Sequence, residues 1–95
     1  MSSKVKISVN LPSLLASKIG GNRDVEVHAA TLTECLENLI KDFPLLKTHL
    51  YEEDGTQRPH VLFFYNEENT RWLENLDIPL KEGDRVTVLQ AVSGG

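Results

Sequence analysis

The chain has 95 residues, of which 40% are hydrophobic and 25% are charged. This length and composition fit one globular domain over residues 1–95 and exclude the disordered, collagen-like and coiled-coil classes. The formal net charge is −4, from 10 Lys and Arg against 14 Asp and Glu. Because a negative domain without a basic cluster repels phosphate backbones, no nucleic acid partner is expected. A chain this short also offers little material for a deep catalytic cleft.

A single cysteine, Cys35, rules out a disulfide framework within the chain. Small secreted domains usually depend on such frameworks, so we expect a cytoplasmic protein. Residues 1–10 hold no apolar run of signal-peptide length, and nowhere do about 18 apolar residues follow one another as a membrane span requires. No leader and no membrane partner are therefore expected.

The first elements along the chain are predicted to be two strands. Apolar residues alternate with polar ones over Lys4–Leu11, which is the pattern of a half-buried strand. Pro12 and Gly20-Gly21-Asn22 bracket a connection, and the alternation resumes over Val25–Ala29. The two segments predict a hairpin with a long loop.

A helix is predicted next. Thr31 and Glu34 match a capping box, and Pro44 ends the helical pattern. The apolar face consists of Leu32, Leu36, Leu39, Ile40 and Phe43. Cys35 lies on the flank of this face, where we expect a packing residue, with a persulfide-carrying thiol as the alternative.

The second half of the chain predicts further strands. Leu45–Arg58 is expected to hold a short helical turn that ends in a polar loop. Val61–Tyr65 is apolar at every position, which suits a strand covered on both faces or one whose outer face waits for a partner, and we favour a central strand. Asn66–Asn69 and Lys81–Asp84 have turn chemistry, Arg71–Leu73 is expected to be a short edge strand, and Arg85–Val92 alternates as the last strand. The order predicts an α+β fold in which one main helix covers one face of a sheet of four or five strands.

No catalytic or metal-binding constellation is present in the sequence. His28, His49 and His60 lack the short spacing that metal sites use. The pairs Glu52-Glu53 and Glu67-Glu68 fall in predicted turns, where solvated loop surface is the simplest interpretation. We therefore expect no metal site and no enzyme activity from this chain alone.

The last residues are the remaining candidate site. The sequence ends in Gly94-Gly95, and residues 92–95 are expected to form a flexible tail. A frayed end explains such glycines, but two residues without side chains also suit a channel too narrow for a Cβ. The carboxylate of Gly95 is a poor electrophile, so a partner would have to convert it with ATP to an acyl-adenylate that a sulfur nucleophile can attack, giving a thiocarboxylate.

The element order and the stretch Leu80–Gly95 together resemble the ubiquitin-like β-grasp sulfur carriers of the MoaD/ThiS family. The most specific part is Lys81–Asp84, followed by a hydrophobic strand and a terminal Val-Ser-Gly-Gly. Asn10–Leu15 and Asn66–Asp77 are similar to the branch that carries sulfur for cysteine or homocysteine synthesis. The resemblance implies a β-grasp fold with a mixed sheet, one main helix on one face and a free C-terminal Gly-Gly tail.

The resemblance also implies partners. It implies an adenylating enzyme of the ThiF/MoeB type that uses ATP, and a sulfurtransferase or another sulfur donor. In the amino-acid branch it further implies a pyridoxal-phosphate enzyme like cysteine synthase and a zinc metalloprotease. The chain itself is expected to bind no cofactor. Three alternatives stay open: the small subunit of molybdopterin synthase, a thiamin-type sulfur carrier, and a ubiquitin-like protein modifier joined through Gly95.

For this sequence, the resemblance implies that Gly95 carries the sulfur. It also implies that Gly94 and Ser93 belong to the tail that reaches the partner. An apolar outer sheet face is the candidate docking surface, although core packing explains its residues as well. Its candidate members are Leu62, Phe64 and Leu89. The aromatic run Phe63–Tyr65 stands where the family usually has smaller or aliphatic residues, which leaves the docking partner open.

Overall fold

The computed structural model describes residues 4–90. The strands are β1 (Val5–Asn10), β2 (Asp24–Ala29), β3 (Val61–Tyr65), β4 (Glu68–Asn69) and β5 (Arg85–Gln90). The helices are α1 (Ser13–Ala16), α2 (Leu32–Asp42) and α3 (Lys47–Leu50), and 3-10 turns cover Ser17–Ile19, Pro44–Leu46 and Thr70–Trp72. The predicted hairpin, main helix, short helical turn and last strand are all present.

The strands form one mixed sheet in the order β2-β1-β5-β3-β4. β1 runs antiparallel to β2 and parallel to β5, while β3 runs antiparallel to both β5 and β4. The middle position therefore belongs to β5. β3 lies inside the sheet, between β5 and the two-residue β4, but the expectation that both of its faces are covered is wrong, because Leu62 and Phe64 are only partly buried. Its continuous apolar run instead reflects two different faces: Val61 and Phe63 point into the core, and Leu62 and Phe64 lie on the opposite face.

The short edge strand expected at Arg71–Leu73 is also misplaced. The edge strand is β4, within the predicted turn, and the chain then enters the 3-10 turn Thr70–Trp72. The side-chain oxygen of Asn69 accepts a hydrogen bond of 2.9 Å from the Arg71 N–H, which favours a helical turn over an extended strand. Smaller differences lie at strand ends: β1 stops at Asn10, and residues 91 and 92 of the predicted last strand lie outside the described residues.

Helix α2 begins at the predicted cap. The Thr31 hydroxyl accepts a hydrogen bond from the Glu34 N–H at 3.1 Å, and the Glu34 carboxylate accepts one from the Ala30 N–H at 2.7 Å. The helix packs its apolar face against the sheet, and Cys35 is buried within that face. The buried core to which this helix face belongs also includes strand residues, namely Ile7, Val9, Val27, Val61, Phe63, Val86 and Val88. All the core residues of the described part lie between Ile7 and Val88.

Replacing the cap residue should weaken the protein measurably. We expect Thr31→Ala to lower the free energy of unfolding by about 1 kcal/mol, because the Glu34 N–H loses its acceptor. Urea unfolding followed by circular dichroism measures the change. Thr48→Ala is the matched control, since Thr48 is exposed in α3, and it should stay within about 0.5 kcal/mol of the parent. Equal stability of the two variants would contradict the capping role of Thr31.

Candidate functional site

The predicted reactive residues Ser93, Gly94 and Gly95 lie outside the described residues, which end at Gln90. What the structure defines is the strand that leads to them. β5 is the middle strand of the sheet, and its last residue, Gln90, lies opposite Val61 of β3. The strand that leads to the candidate site is therefore flanked by β1 and β3.

On the β3 side, the pair Val61–Gln90 is not a hydrogen-bonded pair. The Val61 N–H donates to the Arg58 carbonyl at 3.0 Å, and the Val61 carbonyl accepts from Gln57 Nε2 at 2.6 Å and Arg71 Nη2 at 3.1 Å. The N–H of Asn66 donates to the Arg85 carbonyl at 2.9 Å. Since bonded pairs alternate along an antiparallel ladder, Leu62–Leu89 is the last pair that β3 and β5 join by backbone hydrogen bonds.

On the β1 side, the ladder stops earlier. The register ends at Asn10 opposite Thr87. The Leu11 N–H turns away from β5 and donates to the Arg23 carbonyl at 2.7 Å. By the alternation of a strand, the next N–H would face β5, but position 12 is Pro12 and has none. The Asn10 carbonyl still accepts from the Val88 N–H in this register, so within the described residues β5 is supported by β3 alone only beyond Val88.

The three predicted docking residues share the sheet face that α2 does not cover. Leu62 lies directly opposite Leu89, and Phe64 lies two positions along the same face of β3. Leu89 is 43% exposed, and Leu62 and Phe64 are partly buried. We call these three residues the β3–β5 patch. The rest of the face is polar and carries Lys6, Ser8, Asn10, Asp24, Glu26 and Arg85.

The turn that leads into β5 is fixed by a nearly buried carboxylate. Asp84 is only 9% exposed, and it accepts hydrogen bonds from the Tyr65 hydroxyl at 2.7 Å, the Lys81 N–H at 2.9 Å and the Asn66 amide at 3.4 Å. Gly83, just before it, has a φ of 92°, a conformation that favours glycine. The Lys81–Asp84 motif, noted in the sequence as a turn, thus also ties β5 to the end of β3.

The same hydrogen bonds set the protonation of Asp84 and its partner. Burial by itself disfavours the charged carboxylate, but the three hydrogen bonds and the nearby Lys81 ammonium outweigh it and hold the pKa of Asp84 below its usual value. Burial, with the hydrogen bond to Asp84 and its charge, raises the pKa of Tyr65 to about 12. At neutral pH the pair is therefore a neutral phenol donating to a carboxylate.

The cysteine is not placed for sulfur chemistry. The Cys35 side chain is fully buried in α2, and desolvation raises the pKa of its thiol to about 11. Because the thiolate is the reactive form, a thiol in this state supports the packing interpretation over the persulfide one. Among residues 4–90, no three His, Cys, Asp or Glu side chains come together as metal ligands would.

Comparisons with known proteins identify the family. A family model described as the ThiS family matches residues 9–95, nearly the whole chain and its final glycines. The chain belongs to the ThiS family. The resemblance to the MoaD/ThiS proteins is thereby confirmed, and the mixed sheet with α2 on one face is the predicted ubiquitin-like β-grasp fold.

Individual proteins of known sequence or structure are also similar to this chain. The chain is 27% identical over 93 residues to the sulfur carrier protein CysO of Mycobacterium tuberculosis, covering 96% of this chain and 100% of CysO. It is 30% identical to a chain in the crystal structure of the Amycolatopsis orientalis BexX/CysO complex, with a TM-score of 0.76 and coverage of 96% and 99%. The small archaeal modifier protein 1 of Methanosarcina acetivorans has 26% identity, a TM-score of 0.79 and coverage of 97% and 98%.

These matches place this ThiS-family chain among small carrier proteins of the CysO and ThiS type, in agreement with the prediction that it is a carrier and not a catalyst. Its similarity to CysO also agrees with the predicted branch of the family. One relative is a component of a two-protein complex. Within the described residues, no helix is both long enough and apolar enough to span a membrane.

Sequence reasoning missed the residues that hold the two ends of β5. The sequence predicts Asp84 only as part of a turn and Arg71 only as part of a strand. The spacing of 19 residues between Tyr65 and Asp84 gives no local signal of their hydrogen bond. Arg71 makes its contacts with backbone carbonyls, which every residue possesses, so no partner residue marks it in the sequence.

Removing the charge of Asp84 should destabilise the protein in a pH-dependent way. At pH 7 we expect Asp84→Asn to lower the free energy of unfolding by about 1–3 kcal/mol, because a buried donor loses its acceptor. Since the pKa of Asp84 is lower in the folded state, its stabilisation is present above the unfolded value of about 3.9 and is lost as the pH falls through the folded value. Urea titrations should therefore show the two proteins converging below about pH 4.

The exposed Asp77 provides the control for this titration. At pH 7, Asp77→Asn should stay within about 0.5 kcal/mol of the parent. A constant difference between Asp84→Asn and the parent down to acid pH would contradict the role assigned to the Asp84 charge.

Proposed function

We propose that this chain carries sulfur as a thiocarboxylate on Gly95, formed after a partner enzyme adenylates the Gly95 carboxylate, and that it donates this sulfur in the synthesis of a sulfur amino acid such as cysteine. The observation that carries the proposal is the match to the ThiS family through residue 95, where the sequence ends in Gly94-Gly95. The unpaired Cys35 supports a reducing, cytoplasmic setting for this chemistry.

The chemistry needs an activated carboxyl group. An α-carboxylate has a pKa of about 3.3–3.7, so at neutral pH it is an anion that resists nucleophiles. In the first step, a Gly95 carboxylate oxygen attacks the α-phosphorus of ATP, a carbon–oxygen–phosphorus linkage forms, and pyrophosphate leaves. In the second, a hydrosulfide anion attacks the carbonyl carbon, the carbon–sulfur bond forms, the carbon–oxygen bond to AMP breaks, and one proton goes to solvent. No electrons are gained or lost overall.

The described part of the chain supports a role as co-substrate. It offers no buried nucleophile with a neighbouring base, and its one thiol is protonated and enclosed. What it offers is a rigid sheet whose middle strand leads to the glycines. Glycines without a Cβ suit passage into a narrow active site of another protein, where the adenylation takes place.

The proposed partners follow from the same chemistry. A ThiF/MoeB-like enzyme supplies the adenylation site with ATP, and a sulfurtransferase or other donor supplies the sulfur. In cysteine synthesis, an electrophilic intermediate on a pyridoxal-phosphate enzyme accepts the sulfur, and a zinc metalloprotease releases the amino acid. Similarity to CysO of M. tuberculosis favours this branch over the molybdopterin and thiamin branches.

A protein modifier is the second candidate function. The chain is 26% identical to small archaeal modifier protein 1 of M. acetivorans over nearly its whole length. In this role the activated Gly95 carbonyl would pass to a lysine amine and form an isopeptide bond, with loss of AMP. Gly95 linked to lysines of other proteins, found by peptide mass spectrometry of cells that express the chain, would favour the modifier over the carrier.

Charging of the tail is the direct test. After incubation with the cognate adenylating enzyme, ATP and sulfide, we expect the intact mass to rise by about 16 Da, the difference between sulfur and oxygen. Omitting ATP should abolish the increase. No mass change with an enzyme that charges a known ThiS-family protein in the same buffer would contradict the proposal.

The matched control is deletion of Gly95. The core of the described part ends at Val88, so this deletion should leave the circular dichroism spectrum and the unfolding midpoint unchanged. Because the carboxylate would then sit one residue short of the partner's reacting atoms, the mass increase should disappear.

The β3–β5 patch is the proposed docking surface for the adenylating enzyme. It adjoins the end of β5, and an apolar patch with a polar surround is the usual anatomy of a protein interface. We expect Phe64→Ser to raise the carrier concentration that half-saturates charging by about tenfold with little change in the maximal rate, because a contact made equally in ground and transition states is lost.

The polar half of the same face provides the control. Lys6 lies on β1. Within the described part, its Nζ forms an ion pair only with the exposed Glu26, whose Oε1 lies 3.8 Å away. Lys6→Ser should leave the half-saturating concentration within about twofold of the parent, since exposed ion pairs contribute little. Equal effects of Lys6→Ser and Phe64→Ser would argue against the patch as the docking surface.

A further inference from the structure

The last residues of β5 have an unusual dependence on one neighbour. On the β1 side, the register places their last hydrogen bond between the Val88 N–H and the Asn10 carbonyl, and the Val88 carbonyl has no donor there because Pro12 lacks an N–H. Their remaining backbone support is the Leu62–Leu89 pair on the β3 side. The position of the residues that lead to Gly95 is therefore set by whatever holds that end of β3.

Two side chains hold that end of β3 at a single atom. The Val61 carbonyl, which points away from β5, accepts from Gln57 Nε2 at 2.6 Å and from Arg71 Nη2 at 3.1 Å. Arg71 Nη2 also lies 2.9 Å from the Arg58 carbonyl and 3.4 Å from the Pro59 carbonyl. One guanidinium nitrogen of Arg71 thus contacts three backbone carbonyls, those of Arg58, Pro59 and Val61, in the segment that enters β3.

The Arg71 guanidinium hydrogen-bonds to backbone carbonyls and forms no ion pair within the described residues. Within residues 4–90, no carboxylate lies within 4.0 Å of its guanidinium. Arg71 is itself exposed, and its charged head donates to carbonyls at the open edge of β3, where β4 no longer covers the strand. Hydrogen bonds from a charged donor are stronger than neutral ones, so this edge is fixed without a paired strand.

We infer that Arg71 is a positioning residue for the charging reaction, which it serves by fixing Val61 and, through the adjacent Leu62–Leu89 pair, the base of the C-terminal tail. This inference rests on the proposed function. A tail that starts from a fixed point samples fewer orientations, so a larger share of docked complexes brings its carboxylate to the reacting phosphorus. When Arg71 is lost, docking through the β3–β5 patch continues, but fewer docked molecules are productive.

The test begins with the free protein and does not depend on any partner. Arg71→Met keeps the length of the side chain and removes the donors, Arg71→Lys keeps one charged donor, and Thr31→Ala destabilises the distant cap of α2. Amide hydrogen exchange is followed by NMR on the full chain. We expect Arg71→Met to speed exchange at Leu62 and Leu89 by about tenfold with little change at Val27 in β2, since opening at a strand end is local. Thr31→Ala should not produce this local pattern.

The second measurement is charging of the same variants. With the cognate adenylating enzyme, ATP and sulfide, Arg71→Met should lower the maximal rate by about tenfold and leave the half-saturating carrier concentration within about twofold. Arg71→Lys should recover part of the rate, and Thr31→Ala should charge like the parent. Slower charging without faster exchange at Leu89, or a change confined to the half-saturating concentration, would overturn the inference in favour of direct contact between Arg71 and the partner.

The two proposals fail in different ways. If the parent is charged and Arg71→Met is charged at the same rate, the positioning role of Arg71 is overturned and the proposed function stands. If the parent itself is not charged by an enzyme that charges another ThiS-family protein, the proposed function fails, and the role of Arg71 in the reaction falls with it even where exchange at Leu89 responds.

Discussion

The two ends of β5 are held in different ways, and this difference connects the fold to its use. At the start of the strand, the Asp84 carboxylate accepts hydrogen bonds from Tyr65, Asn66 and the turn backbone, so that the strand enters the sheet at a fixed point. At its end, Pro12 stops the β1 ladder at Val88, and the Leu62–Leu89 pair on the β3 side is the last hydrogen-bonded pair of the described part. A middle strand is normally the most restrained part of a sheet, and here that restraint is released in steps toward the terminus.

The sheet has two faces with separate tasks. The face under α2 buries the core, including Phe63 and Cys35, and the hydrophobic effect there supplies the main driving force for folding. Among residues 4–90, no helix covers the opposite face, which divides into a polar half over β1 and β2 and the β3–β5 patch. Since stability is secured on the first face, the second is available for a partner, and its apolar half lies beside the end of β5.

Much of the fold could be predicted from local patterns. Alternation over Lys4–Leu11 located β1, and the Thr31 cap located α2, because both depend on neighbours in the chain. The errors concern residues whose partners are distant in sequence. Continuous apolarity over Val61–Tyr65 does not reveal whether the second face meets a helix, a partner or solvent, and the local pattern of Arg71–Leu73 cannot show that Asn69 will start a helical turn. Of the site, the three residues of the β3–β5 patch could be named, but their common face became evident only from the register between β3 and β5.

The small size of this chain is consistent with the proposed function, in which partner enzymes carry out the catalysis. A chain of 95 residues offers little material for a deep catalytic cleft, but it can hold one strand end in a defined place. In the proposed function, the terminal carboxyl has only to arrive in the right position, since the proposed partner supplies nucleotide, sulfur and catalytic groups. The requirements on the carrier are then a docking face, a narrow tail and a fixed point of departure. Arg71 and Asp84, whose hydrogen bonds go to Val61 and Tyr65 and not to the side chains of the β3–β5 patch, would maintain the third of these.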